Sequence, residues 1–355
     1  MAELKVLHIL SSRTYNGAEN VVCQINSILK KFNADVELIY CSLDGPVRKS
    51  IEERGMRFIA LKEISIEEIR RVVEYIKPNI VHAHDMRASF FVSLVCKNIP
   101  FVSHIHNNNS DSRVLSVKSV LYFLAALKAE HIFWVSKSSF NGYCFSRFIK
   151  NKSEILYNVV DVDELYSKIA LDSKEYDYDA IYLGRLAYPK NPQRLVRIIK
   201  KIVENAPNFK VAIVGEGEDR REIQQFVIDN GFEQNVVFFG FLDNPYKILK
   251  TSKMMLMTSL WEGTPMCVLE ALSLGIPVVS TPVDGLCDFI ENNKNGYLSA
   301  SDDELVEKCL ELYMNKEVQQ IMSNGALETA NKSINTIQYG KKIIDVYKKC
   351  SRINR

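Results

Sequence analysis

The amino-acid sequence predicts an α/β protein of two Rossmann-like, doubly wound domains that face one another across an interdomain cleft. Three observations carry that expectation. Short apolar runs alternate with stretches of helical period along the whole chain. The runs are apolar on both faces, as strands are when helices cover both sides of a parallel sheet. The 355 residues also exceed what one hydrophobic core usually organises, so two domains are the default.

The first series of strands is KVLHIL (5–10), DVELIY (35–40), MRFIAL (56–61), NIVHAH (79–84), PFVSHI (100–105), HIFWVS (131–136) and SEILYN (153–158). Between the first two, residues 18–32 place Val21, Val22, Ile25, Ile28, Leu29 and Phe32 along one helix face. Residues 160–177 are polar and acidic and read as a linker. A second series follows: AIYLG (180–184), KVAIVG (210–215), NVVFFG (235–240), MMLMTS (254–259) and IPVVST (276–281). Helices fill the gaps, beginning with 192–203, and three helical segments end the chain at 302–313, 317–331 and 336–349. The expected division is an N-terminal domain over 1–165, a C-terminal domain over 166–335 and a final helical segment over 336–355.

Composition narrows the function. With 45 basic and 43 acidic side chains the net charge is +2, which gives no case for nucleic acid as a partner. The eight cysteines form no C-x-x-C pair, which speaks against zinc ribbons and thioredoxin-like chemistry. The opening MAELKVLHILSS lacks the layout of a signal peptide. No window reaches the ~20 apolar residues that span a bilayer, so a cytoplasmic location is expected. Residues 113–128, RVLSVKSVLYFLAALK, are apolar with basic ends, and Lys137, Arg147, Lys150 and Lys152 follow. They read as a buried helix followed by solvated charges. The alternative is peripheral contact with the inner face of a membrane carrying a lipid-linked acceptor.

Ligands of such sheets bind beyond the carboxyl ends of the strands, so the loops there hold the candidate site. The first, SSRTYNGAEN, has the single glycine Gly17 and not the G-x-G-x-x-G of a dinucleotide site. Gly17 precedes a helix whose amino end favours an anion, although Asn16-Gly17 is also an ordinary turn. GRLAYPKN (184–191) puts Arg185 and Lys190 after a strand, where a fork and a point charge suit a diphosphate. GEGED (215–219) follows another strand, and Gly215 permits close backbone approach to a ligand. The pairs His82/His84 and His104/His106 each project to one face of a strand. With Asp85 a pair is a possible metal ligand set. Hydrogen bonding to substrate by His106 is the preferred reading, with no metal, and Asn16, His84 and Asn107 are acceptor-side candidates.

The richest stretch is SLWEGTPMCVLEALSLGIPVVST (259–281). Glu262 lies in a Gly-Pro turn and Glu270 inside an apolar helix that Gly275 ends. The amides of Met266 and Cys267 fall in that helix's first turn, free to bind phosphate. Carboxylate acceptors at both ends and donors between them match a nucleoside diphosphate sugar.

The E-x7-E spacing of EGTPMCVLE, together with GRLAYPKN, GEGED and LYNVVD (156–161), resembles the retaining GT-B glycosyltransferases of family four, over nearly the whole chain. The resemblance implies sugar transfer, metal-independent and without a cofactor, from a nucleotide-sugar donor, UDP-linked in preference to GDP-linked. The acceptor would be a glycan or lipid-linked hydroxyl in bacterial surface polysaccharide or glycoconjugate synthesis. It assigns Glu270 to the ribose, Arg185 and Lys190 to the diphosphate, Glu262 and His106 to the transferred sugar, and Gly17, Met266 and Cys267 to the phosphate cradle. Two positions depart from the family pattern: Asn16 replaces a common second glycine, and Thr264-Pro265 replaces an aromatic residue followed by glycine. A sugar-nucleotide epimerase of the same architecture and a non-catalytic partner subunit are the competing readings.

Overall fold

The computed structural model describes residues 4–106, 110–283 and 285–352. The chain forms two compact units, 1–159 with 335–355, and 160–334. The first holds seven strands: β1 (Leu4–Ile9), β2 (Val36–Leu43), β3 (Arg57–Leu61), β4 (Ile80–His84), β5 (Phe101–Ile105), β6 (His131–Trp134) and β7 (Ser153–Ile155). They are all parallel, in the order β3-β2-β1-β4-β5-β6-β7. The second unit repeats the scheme with β8 (Ala180–Leu183), β9 (Val211–Val214), β10 (Val236–Gly240), β11 (Met254–Met257), β12 (Val278–Ser280) and β13 (Gly296–Leu298), ordered β10-β9-β8-β11-β12-β13.

In each sheet the chain starts in the middle, winds outward, returns and winds the other way. The direction reverses between β1 and β4 and again between β8 and β11. Loops diverge at that point, leaving a crevice at the carboxyl ends of the strands where ligands of doubly wound sheets sit. Burial on both faces explains the sequence pattern. Val6, Leu7 and Ile9 of β1 are fully buried, as are all four residues of β9 but for a trace of Val214. The last helix, Thr336–Arg352, belongs to the first unit, where Lys342 pairs with Glu154 at 2.6 Å.

Three elements differ from expectation. The stretch read as a linker contains the helix Val162–Ala170. Asp161 caps it by accepting from the Glu164 amide at 3.3 Å, and Asp163, Glu164 and Lys168 suit the helix dipole. Its apolar face is thin, with only Leu165 buried, so the period is faint in the sequence. Strand β13 has three residues, too few to show alternation. The helix Val117–Lys128 is not buried all round: it turns Ser119, Tyr122, Ala125 and Ala126 inward and leaves Val117, Val120, Leu124 and Leu127 exposed.

Candidate functional site

In the second unit the site is built from the loops after β8 and β11, on either side of the switch point. The two loops are fastened together. Thr258 donates its hydroxyl to the carbonyls of Lys190 (3.2 Å) and Asn191 (3.0 Å), and the Leu260 amide donates to the Pro189 carbonyl at 2.9 Å. This brings Lys190 against Glu262, 72 residues away, with Nζ 2.5 Å from Oε1. Ser259 donates to the same oxygen at 2.6 Å. Both members of the pair are largely shielded from water. Burial works against the Lys190 ammonium, and Glu262 beside it more than offsets this and holds its pKa above the ordinary value. Arg185 does not join them: it is exposed and donates to the Tyr188 carbonyl at 3.3 Å.

The helix Met266–Ser273 begins directly beyond Glu262. Its first closing bond runs from the Val268 amide to the Pro265 carbonyl at 3.1 Å, so the amides of Met266 and Cys267 precede the intrahelical ladder. The turn before the helix is packed backbone to backbone, since a Cβ at Gly285 would lie 1.3 Å from the Gly263 carbonyl oxygen. Gly275, at φ +74°, follows the helix in the left-handed conformation that suits glycine. Glu270 is 7% exposed and accepts from the Tyr246 hydroxyl at 3.2 Å. Burial raises its pKa to about 7. A buried carboxylate with so little compensation is unfavourable unless a ligand supplies more donors.

Gly215 is packed tightly at the end of β9. Its backbone is at φ +143°, and a Cβ there would lie 1.9 Å from the Gly184 carbonyl oxygen. Its amide donates to the Gly240 carbonyl at 2.8 Å. The missing side chain thus makes room for the neighbouring strand-end loop, and the amide is not free for a phosphate. Gly217 does the same against Leu186, with 2.1 Å between its would-be Cβ and the Leu186 carbonyl oxygen. These glycines shape the loop that carries Arg185.

In the first unit Gly17 opens the helix Gly17–Lys31, and a Cβ added there would meet nothing within 4 Å. Asn16 turns its side chain back on its own loop, donating to Thr14 Oγ1 at 2.9 Å and the Thr14 carbonyl at 3.2 Å. Its amide donates to Glu19 at 2.9 Å. Glu19 is buried, and that burial raises its pKa to about 7. Asp85, at the end of β4, has φ 77° and ψ 164°. That region is normally glycine's and costs ~1–3 kcal/mol for another residue, a strain typical of functional sites. Asp85 accepts from the Ala88 amide at 2.7 Å, and burial raises its pKa to about 6.

The histidines meet along the sheet. His84 is 1% exposed, and its two nitrogens engage His106 (2.8 Å) and His8 (2.9 Å). His106, just past β5, is partly exposed. The imidazoles of His8, His82 and His84, and those of His84, His104 and His106, come close enough to share an ion. Yet the facing nitrogens of His8, His84 and His106 are engaged in mutual hydrogen bonds, one of each pair donating and the other accepting, and no carboxylate joins either group among the described residues. Asn107 lies outside the described residues. The sequence reading missed Glu19, His8 and Ser259, and named Asp85 only as a metal ligand. Of these, Glu19 had a signal, the N-x-x-E capping spacing after Asn16.

Residues 165–329 match the family described as glycosyl transferases group 1, and residues 15–164 match glycosyltransferase family 4. An Escherichia coli UDP-Gal:alpha-D-GlcNAc-diphosphoundecaprenol alpha-1,3-galactosyltransferase is 24% identical over 98% of this chain and 97% of its own length. An uncharacterized glycosyltransferase of Methanocaldococcus jannaschii is 30% identical over 60% of this chain, a match that spans 58% of that relative. The crystal structure of Anabaena HepE in complex with UDP-glucose superposes with a TM-score of 0.85 at 18% identity, covering 98% of this chain and all of that one. These likenesses give the chain the GT-B fold, with one doubly wound sheet in each unit.

Proposed function

This chain belongs to family four of the GT-B glycosyltransferases, and from that premise we propose a retaining, metal-independent transfer from a UDP-sugar to a hydroxyl of a glycan or lipid-linked acceptor in bacterial surface polysaccharide or glycoconjugate synthesis. The observation that carries the reading is the Lys190–Glu262 pair at the amino end of the helix Met266–Ser273, with Glu270 buried one turn further on. The preference for UDP draws on relatives whose names specify UDP-linked donors or complexes with UDP.

In this reading the ribose hydroxyls donate to Glu270 and relieve its burial. The diphosphate lies at the helix amino end, against the amides of Met266 and Cys267 and the ammonium of Lys190. Arg185, free to swing from the loop surface, adds a bidentate grip. Glu262 exchanges its bond from Lys190 for hydroxyls of the transferred sugar. As the bond between the anomeric carbon and the phosphate oxygen breaks, negative charge gathers on the leaving diphosphate. Preorganised cations and amides stabilise it most at that moment, so no divalent ion is needed for the step. His106, Asn16 and Gly17 of the first unit are assigned to the sugar and the acceptor.

The exposed apolar stripe supports a membrane-borne acceptor. Leu115 (77% exposed), Val117 (76%), Leu124 and Leu127 are exposed on or beside the helix Val117–Lys128, and exposed Phe148 (70%) has its ring 6.0 Å from that of Phe123 of the same helix. Arg147 and Lys150 flank Phe148. An apolar face rimmed by cations fits an anionic lipid surface. No described helix is long and apolar enough to cross a membrane.

The deciding experiment is a thermal-shift screen of UDP-, GDP- and ADP-sugars, followed by product analysis by NMR with and without EDTA. UDP-sugar at 100 times its dissociation constant should stabilise by ~2.7 kcal/mol. The expected product keeps the donor's anomeric configuration, and EDTA leaves the rate unchanged. An inverted product, loss of activity in EDTA, or a new sugar nucleotide without glycoside would each overturn the corresponding part.

A further inference from the structure

All six histidines of the chain lie in the first unit, five of them on β1, β4 and β5 or immediately after. Four of those five join a continuous chain of hydrogen bonds. His106 Nε2 is 2.8 Å from His84 Nδ1, and His84 Nε2 is 2.9 Å from His8 Nδ1. His8 Nε2 is 3.3 Å from the Tyr347 hydroxyl, which is 2.7 Å from His82 Nδ1. Tyr347 comes from the last helix and is fully buried, as are His8 and His82. His104 stacks on His106, with ring centroids 4.4 Å apart, but takes no part in the chain.

A neutral imidazole has one donor nitrogen and one acceptor nitrogen. Where the Tyr347 hydroxyl donates to one of its two imidazole neighbours, placing one proton places all the others, and two orders result; accepting from both would leave its own buried O–H without an acceptor among the bonds it makes to His82 and His8, which disfavours that arrangement. If His106 donates inward, every proton points toward His82. That leaves His106 Nδ1 a bare acceptor and His82 Nε2 an N–H. If His82 donates outward, to Tyr347, the hydroxyl donates to His8, His8 Nδ1–H to His84, and His84 Nδ1–H to His106. His106 then carries its proton on Nδ1, and His82 Nε2 is the bare acceptor.

The ends decide between them. His106 Nδ1 and His82 Nε2 are the two ends, and neither has a hydrogen-bond partner among the described residues. A buried N–H without a partner is rarer than an under-satisfied acceptor. Both end nitrogens are themselves shielded from solvent, but His82 is fully buried within β4, whereas His106 lies just past the end of β5 and keeps part of its surface exposed. The outward order puts the unpartnered N–H on the histidine at the carboxyl end of the sheet, the end at which ligands of doubly wound sheets bind. Neutrality holds along the chain, because burial pushes the pKa of His8 and His106 down to about 3 and those of His82 and His84 well below the ordinary value.

We infer that His84, backed by His8 and Tyr347, is a positioning residue that holds His106 as its Nδ1–H tautomer and aims that N–H at an oxygen of the bound sugar or its leaving group. This rests on the reading of His106 as a residue of a glycosyl-transfer site.

The first test needs no variant. Long-range ¹H–¹⁵N NMR on histidine-labelled protein, with the His106 signals assigned by their loss in His106→Gln, reads the tautomer directly. Protonated Nδ1 is expected, and protonated Nε2 overturns the inference. The second test compares His84→Leu with His84→Gln, which can both accept from His8 and donate to His106. Leucine should lower kcat by ~10²-fold with the donor KM nearly unchanged, the scale of one charge-stabilising donor. Glutamine should restore most of the loss. Equal losses in both variants, or a loss carried by KM, count against it. His106→Ala transferring sugar at the wild-type rate would instead remove His106 from the reaction, with the NMR result alone then deciding the proton order.

Discussion

Replacing Glu270 by glutamine should stabilise the free protein and weaken it as a donor-binding protein, and the size of both effects follows from burial. The carboxyl is 7% exposed, and its pKa rises from 4.5 to about 7. Because the folded value exceeds the unfolded one, the stability present below pH ~4.5 is lost as pH climbs through ~7. The shift of ~2.5 units corresponds to ~3 kcal/mol by pH 8. Glutamine has nothing to ionise and still accepts from the Tyr246 hydroxyl. Urea melts should therefore find Glu270→Gln and wild type similar at pH 5, and the variant up to ~3 kcal/mol more stable at pH 8. Donor binding should change in the opposite sense. A hydrogen bond to a charged group contributes ~1.5–3 kcal/mol, so UDP affinity at pH 8 should fall about 30-fold. At pH 5 wild type is itself protonated and the two should converge. Calorimetric titration with UDP at both pH values measures this. Equal stability at pH 8 would refute the burial argument, and undiminished UDP affinity at pH 8 would refute the assignment to the ribose.

The Lys190→Met and Glu262→Gln variants and their double mutant should show strong coupling in transfer rate. Lys190→Met alone should lower kcat by ~10²–10³-fold, the scale of one charge-stabilising donor, and additive effects would mean that the two act separately. Gly215→Ala forces a Cβ to 1.9 Å from the Gly184 carbonyl oxygen at φ +143°, so chemical denaturation should reveal a loss of ~2 kcal/mol or more. Acid should weaken the first unit selectively. The folded pKa of His8, about 3, lies below its unfolded 6.5, so its contribution is complete above pH ~6.5 and ~2.7 kcal/mol smaller at pH 4.5. Fluorescence of the buried Trp134 in a Trp261→Phe background reports on that unit, and a midpoint unchanged from pH 7 to 4.5 would contradict this. Vesicles rich in anionic lipid should sediment the protein at low salt, and a Leu115→Ser/Phe148→Ser variant should stay in solution; equal binding by both would place the contact elsewhere.

Much of the scaffold was legible in the residues alone. Strands buried on both faces must be apolar throughout, so β1, β4, β9 and β11 stood out as runs, and the single helix from 18 onward showed its period. The loops that carry Lys190, Glu262 and the helix amino end at Met266 could be named because doubly wound sheets present their strand ends to ligands. Short or thin elements were hidden: β13 has three residues and the helix Val162–Ala170 buries one side chain. The glycines of GEGED also pack against the Gly184 and Leu186 carbonyls, contacts between distant loops that no local pattern reveals.

By itself the sequence determined which side chains lie on which face of which strand, since alternation and helical period depend on neighbours a few residues apart. It therefore pointed to the strand-end loops as the place to look for acceptors, cations and amides. Only the tertiary structure decided the partnerships: Lys190 with Glu262, Tyr246 with Glu270, and Tyr347 with His8 and His82 across hundreds of residues. Hydrogen bonds and desolvation act over a few ångströms of space. Which groups come within that reach, and which protonation state they then hold, is set by how distant segments pack.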